Sequence, residues 1–350
     1  MTLTRTTMAL CLSPTLLMAE TPKVVTDFAP IHSLAAQVMD GVGEPELLLP
    51  QGADPHGFQM RPSQMRSLSD ADLLIWVGPA LTPWLERAVE GASLGHSMAL
   101  LSEAGTVLRE GGHDHGHDDH ESHEDEMHED HDHDDHDHDE HDDHADHNDE
   151  AHDAHDDHDH DHDDHGHEED HDHAAHVEGV DEHAWLSPLN AQVWLEAIAE
   201  ELSELDPANA ERYHANAHAA QEKIAALDAR IKARLEPVHE KGFVLFHDAF
   251  GYFTDHYDLN SLGAIRETDA APPSAAQLAE IAEQIEHGEV SCIFSEPERG
   301  VSQVLDLAKT AGAGTGVLDP SGSTIEIDPM LYENLMWSTA ETIATCLEGK

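Results

Sequence analysis

Basic residues are scarce in this chain: 16 Lys and Arg stand against 74 Asp and Glu in 350 residues. A net charge of −58 excludes a nucleic-acid or anionic-membrane binder held by lysine and arginine. Long apolar runs are missing as well. Met8 to Met18 is too short to span a bilayer, and no later segment does better. With Arg5 ahead of it and Leu17-Met18-Ala19 behind it, that stretch reads as an export signal over residues 1–19, so the mature chain should lie in the periplasm. Cysteine is nearly absent, with three in all. Cys11 falls inside the signal, preceded by Leu10 where lipid attachment wants a small residue, which argues against a lipoprotein. The remaining Cys292 and Cys346, in an oxidising compartment, are most simply a disulfide, the alternative being two buried thiols.

What the chain has in excess is histidine, and it is concentrated. Residues 113–176 hold 23 of the 33 histidines and 31 acids, with no Lys or Arg. Such a tract has no apolar period and cannot bury a core, so residues 112–177 should be a disordered insertion. Its imidazoles and carboxylates suit zinc, copper or nickel. His167-Glu168-Glu169-Asp170-His171 formally matches a zinc-protease pattern, but a tract this rich in both residue types makes the match nearly inevitable, and no amphipathic helix carries it. The rest of the chain, 43 acids against 16 bases, is itself acidic and fits a cation ligand.

Around the tract, strand and helix signals alternate, which argues for parallel sheets. Strands are expected at Lys23–Phe28, Glu46–Leu49, Leu73–Val77 and Met98–Leu101, with helices over Pro62–Leu68 and Thr82–Val89. After the tract, Trp194, Ile198, Leu202 and Leu205 share one helical face. A longer helix runs from about Asn209 to Leu235, with Asp206-Pro207 as its start signal. A second series follows: strands at Phe243–Phe246, Ser261–Ile265, Val290–Phe294 and Gly316–Leu318, and helices at Ser274–Glu286, Val301–Thr310 and Tyr332–Leu347. The expected fold is α/β: two Rossmann-like lobes (20–206 and 237–350) joined by a long rigid helix (207–236), with a ligand cleft between them.

Three histidines outside the tract stand where such folds bind ligands, outside the carboxyl ends of strands or beside the tract. His56 follows the second strand in Gly52-Ala53-Asp54-Pro55-His56, His247 ends the run Phe243-Val244-Leu245-Phe246-His247, and His183 lies where the tract rejoins the fold. Three neutral imidazoles leave a fourth tetrahedral position for a carboxylate or water. His214 and His218, four apart on the long helix, lack a third partner in sequence and should face solvent. His32, His96, His239, His256 and His287 fall in turns or on polar faces and need no role, and Trp76 and Trp185 read as core or lobe-interface packing.

These segments, with Gly57-Phe58-Gln59-Met60-Arg61-Pro62-Ser63, Trp76-Val77-Gly78-Pro79, His183-Ala184-Trp185-Leu186-Ser187-Pro188, Asp248-Ala249-Phe250-Gly251-Tyr252-Phe253 and Cys292-Ile293-Phe294-Ser295-Glu296-Pro297, closely resemble the ZnuA-type periplasmic zinc-binding proteins of ABC importers. The resemblance spans the mature chain in order. It implies Zn(II) as transported ligand, His56, His183 and His247 as its ligands, a Cys292–Cys346 disulfide and a membrane permease as partner; with nucleic acid already excluded by charge, the chain is expected to be a monomer. Some relatives carry an acid directly before the first ligand histidine, where this chain has Pro55, with Asp54 one step earlier. Relatives that bind manganese tend to carry a carboxylate where His247 stands. Glu296 and Glu298 lie near a strand end that supplies an acidic ligand in some relatives, so water or Glu298 is the expected fourth ligand. A zinc buffer without a transporter shares this chemistry. A zinc hydrolase shares the three-histidine plan, but no motif for a base or substrate pocket accompanies it.

Overall fold

The structure, a computed structural model, describes residues 21–91, 94–111, 179–266, 274–297 and 299–349. The export signal, the histidine tract and Glu298 therefore lie outside the described residues. Among those described, no helix is long and apolar enough to cross a membrane.

Two four-stranded sheets form, and every pairing in them is parallel. The first contains β1 (Val24–Thr26), β2 (Glu46–Leu47), β3 (Leu73–Trp76) and β4 (His96–Ala99) in the order β2-β1-β3-β4. The second contains β5 (Gly242–His247), β6 (Ser261–Arg266), β7 (Val290–Ser295) and β8 (Gly314–Val317) in the order β6-β5-β7-β8. Each chain half therefore winds from its first strand to one side and then returns to the other. That reversal opens a crevice at the carboxyl ends of the two central strands. The central strands β3 and β5 are buried along their whole length, as parallel strands covered on both faces must be.

Helices α1 (Ala29–Val38), α2 (Pro62–Ser69) and α3 (Pro83–Gly91) belong to the first series, and α4 (Pro188–Leu205) follows the tract. The 26-residue α5 (Ala210–Leu235) comes next, then α6 (Gly251–His256), α7 (Ala275–Glu286), α8 (Val301–Ala311) and α9 (Leu331–Leu347). Helix α5 packs against α1 and α4 on the first-sheet side and against α9, which itself lies on β7 and β8. Its buried residues (Tyr213, Ala217, Ala220, Ile224, Ile231, Leu235) repeat at helical spacing along one face.

Three expectations need correction. Helix α1 was not anticipated: eight of its ten residues are buried, so it has too little amphipathic contrast to be recognised, and His32 lies on it with Nε2 3.1 Å from the Pro45 carbonyl. Pro207 does not open α5. Asp206 instead builds a turn, accepting from Asn209 Nδ2 at 2.6 Å and from the Tyr213 hydroxyl at 3.0 Å, and the helix begins after Asn209. Strand β2 stops at Leu47, so His56 is carried by a loop rather than by a strand end.

Candidate metal centre

Sheet topology brings the first histidine to its place. His247 is the last residue of β5, and Glu296 follows the last residue of β7; these strands are neighbours although the residues are 49 apart in sequence. At this crevice the His247 Nδ1 is hydrogen-bonded to Glu296 Oε1, and both side chains are buried. The equivalent crevice of the first sheet is filled differently. Asp27, directly after β1, accepts the Val77 N–H at 3.0 Å, and full burial pushes its carboxyl up to about 7 against the pull of its hydrogen bonds.

The segments that precede α5 contribute their histidines from loops instead. His183 precedes a 3-10 turn (Ala184–Leu186), after which Ser187 caps α4 by accepting the Asn190 N–H, with Pro188 at the first helical position. The His183 ring is fixed from behind: Nδ1 lies 2.8 Å from Asp181 Oδ1, which also accepts the His183 backbone N–H at 2.9 Å. Burial pushes the Asp181 carboxyl up, but His183 and Arg109 outweigh it and hold it below the usual carboxylate range. Trp185 extends the wall. It stacks edge-on against Phe28 and donates its indole N–H to the Pro320 carbonyl at 2.8 Å, across to the second series.

His56 is held by a folded loop. Asp54 Oδ1 accepts the His56 N–H at 2.9 Å, its other oxygen pairs with Arg299 at 3.2 Å, and Trp84 Nε1 donates to the Pro55 carbonyl. Asp54 is thus a loop-shaping residue that ties the two halves of the chain together.

The three rings line one pocket together with Phe28, Trp185 and Glu296. His183 Nε2 and His247 Nε2 stand 3.4 Å apart. A tetrahedral zinc with Zn–N bonds of 2.0–2.1 Å separates two of its nitrogen ligands by about 3.3–3.4 Å. Each of these rings has its Nδ1 against a carboxylate, which fixes the Nδ1–H tautomer and turns the Nε2 lone pair toward the shared space. On the outer side, Glu182 Oε1 is 3.9 Å from His56 Nδ1, and one donor atom each from His56, Glu182 and His183 fall within 4.8 Å of one another.

Sequence reasoning missed Glu182, Asp181 and the partnership of Glu296 with His247. The only sequence signal for the first two is their place beside His183. Asp319 also lines the pocket, but its two oxygens accept from Ser321, Ser323 and Thr324 and shape their loop. His214 and His218 are exposed and pair with Glu196 and Glu222 on the helix surface, as expected of solvent-facing residues.

The family model for the periplasmic component A of the zinc-uptake complex matches residues 24–346. The high-affinity zinc uptake system protein ZnuA of Paracoccus denitrificans (strain Pd 1222) is 47% identical over 94% of this chain and 93% of its own length. The protein of that name from Haemophilus influenzae is 36% identical over 93% and 92%. Among solved structures, a ZnuA crystal structure superposes with a TM-score of 0.65 at 21% identity, covering 94% of this chain and all of the other. A zinc-bound ZnuA with residues 138–173 deleted gives 0.65 at 20% identity, covering 93% and 98%. At those identities the structures speak to the fold alone.

Proposed function

From the premise that the chain belongs to the family of periplasmic zinc-uptake component A proteins, we propose that His56, His183 and His247 hold the captured ion. The protein is a zinc-binding receptor of a zinc-uptake system, and such a system includes a membrane permease and an ATPase. The observation that carries the ligand assignment is the 3.4 Å spacing of two carboxylate-backed Nε2 atoms in the cleft. His56 supplies the third nitrogen from the outer wall. For the fourth donor, expected from sequence to be water or Glu298, we propose Glu182, the carboxylate adjoining His56 and His183.

His56 and His183 precede α5 in the chain and His247 follows it, so capture depends on the elements on both sides of that helix being in register. The division read from sequence fits this use: lobes at 20–206 and 237–350, with 207–236 linking them. Helix α5 supports that division because it lies against helices of both. Residues 1–19 would direct export and be removed, leaving a monomer that captures zinc and hands it on. Growth in zinc-depleted medium tests this role. A strain lacking the gene should grow poorly until zinc is added, and the gene carrying His247→Ala should fail to restore growth. Full restoration by that variant would remove His247 from the site.

The ends of the histidine tract are already joined. Gly111 N–H donates to the Gly179 carbonyl at 2.6 Å, Glu110 and Val180 form an antiparallel bridge, and Asp181 N–H donates to the Arg109 carbonyl at 2.9 Å. Replacing residues 112–178 with a two-residue Asn-Gly turn should therefore leave the fold intact. Calorimetry of that variant should show the weaker zinc sites gone and one tight site kept. Loss of the tight site would count against the cleft assignment.

A further inference from the structure

We propose that Arg109 is a positioning residue for the captured zinc: through Asp181 and Asp255 its guanidinium sets the spacing between His183 and His247. The inference rests on the reading of the cleft as the zinc site, and it extends that site to a residue 74 positions from His183 in sequence.

The side chain of Arg109 makes two ion pairs in different directions. NH1 donates to Asp181 Oδ2 at 3.1 Å, while the other oxygen of Asp181 holds the His183 ring. Nε donates to Asp255 Oδ2 at 2.9 Å, on α6, the short helix that begins four residues after His247. One planar cation is thus shared between the carboxylate behind one imidazole and the helix that follows the other in the chain. A fork of donors in fixed geometry suits this task better than a point charge.

Two further observations show that α6 is shaped to receive this arginine. Tyr252 uses its single hydroxyl twice, accepting the Arg109 backbone N–H and donating to the Asp181 carbonyl, both at 2.9 Å. It thereby fixes the two backbone segments that flank the tract. Gly251, the residue before it, lies directly under the guanidinium, and a Cβ there would overlap Arg109 Cζ and its nitrogens. Gly251 is helical without a positive φ, so its backbone does not require glycine. Room for Arg109 does.

The mechanical consequence follows from where the groups stand. Without the Asp255 arm, α6 keeps the Tyr252 hydrogen bond to the Asp181 carbonyl but loses the ion pair that links it to the Asp181 carboxylate behind His183. Without either arm, Asp181 keeps His183 but loses its own anchor. The 3.4 Å separation then rests on packing and on the hydrogen bonds that Tyr252 and Glu296 still make.

The test uses the full-length protein with zinc competed against a chromogenic chelator, and Co(II) as a spectroscopic stand-in. Arg109→Gln should raise the zinc Kd of the tight site about tenfold, the lower end of the range for outer partners of metal ligands. Gly251→Ala, which evicts the guanidinium without removing it, should give the same loss. Asp255→Asn should give a smaller one, and Arg109→Lys should restore part of the affinity. The visible Co(II) absorption should shift in intensity in Arg109→Gln and Gly251→Ala. Wild-type affinity and an unchanged Co(II) spectrum in a folded Arg109→Gln overturn the proposal. So does a weaker Kd with an unchanged spectrum and a matching drop in the melting temperature of the metal-free protein. A wild-type protein with no tight site would instead sink the zinc reading itself.

Discussion

Replacing His183 with alanine is expected to weaken the tight zinc site by more than about a hundredfold, beyond the range typical of losing only an outer partner. His183 is the central ring of the site: its Nε2 faces His247 at 3.4 Å, and one of its nitrogens shares the outer cluster with His56 and Glu182. Removing it also takes the ring partner from Asp181 Oδ1, a buried carboxylate that keeps its ion pair with Arg109. The effect should appear in stability as well. At free zinc about a thousandfold above Kd, binding stabilises the fold by about 4 kcal/mol, and a hundredfold weaker site retains only about 1.4. For a chain of this order that difference lowers the zinc-induced rise in melting temperature by roughly 5–10 °C. Glu182→Gln, which removes one outer donor while leaving three imidazoles, should lose much less. His214→Ala, at an exposed position on α5, should change nothing. An unchanged thermal shift in His183→Ala would take this residue out of the site.

The second large effect concerns the covalent link. Cys292 on β7 and Cys346 on α9 form a disulfide across 54 residues. Closing a loop of that length restricts the unfolded chain by about 4 kcal/mol in the chain-entropy model. The bridge also sits in close packing, because Gly314 of β8 lies against both sulfurs and leaves no room for a Cβ. Changing both cysteines to alanine should lower the denaturant midpoint by an amount equivalent to several kcal/mol while leaving the zinc Kd within about threefold, since neither cysteine lines the metal pocket. Alanine is the better probe, because serine would place a hydroxyl where Cys292 is wholly buried. A loss below about 1 kcal/mol would mean that the unfolded chain gains little from being cut free.

Much of the fold was legible because its central strands are short apolar runs bounded by turn residues, and its long helices repeat apolar residues at helical spacing. β3, β5 and β7 lie within a residue of their expected bounds, as do α7, α8 and α9. Edges read less well. β8 begins two residues earlier than expected, at Gly314, because its pairing with Cys292 on β7 sets its start, and no local feature of Gly314-Thr315-Gly316 announces a strand.

The candidate ligands could be found from sequence because each sits in a recognisable segment near a strand end or a chain re-entry. Their supports could not. Glu296 meets His247 across 49 residues, Arg109 meets Asp181 across 72 and Asp255 across 146. Each of these contacts depends on strand order and on how α6 packs beside the His183 turn.

By itself, then, the sequence determined the chemistry on offer: an acidic chain, histidines near strand ends, alternating elements that must form parallel sheets, and two cysteines that can pair. Only the tertiary structure decided which carboxylates stand behind which imidazoles and how far apart the Nε2 atoms lie. The physical reason is range. Residue type and periodicity are local properties of the chain, fixed by side-chain chemistry and helical or strand repeat. A metal site is a set of distances of a few ångströms between residues far apart in sequence, set by how two sheets and the helices between them pack.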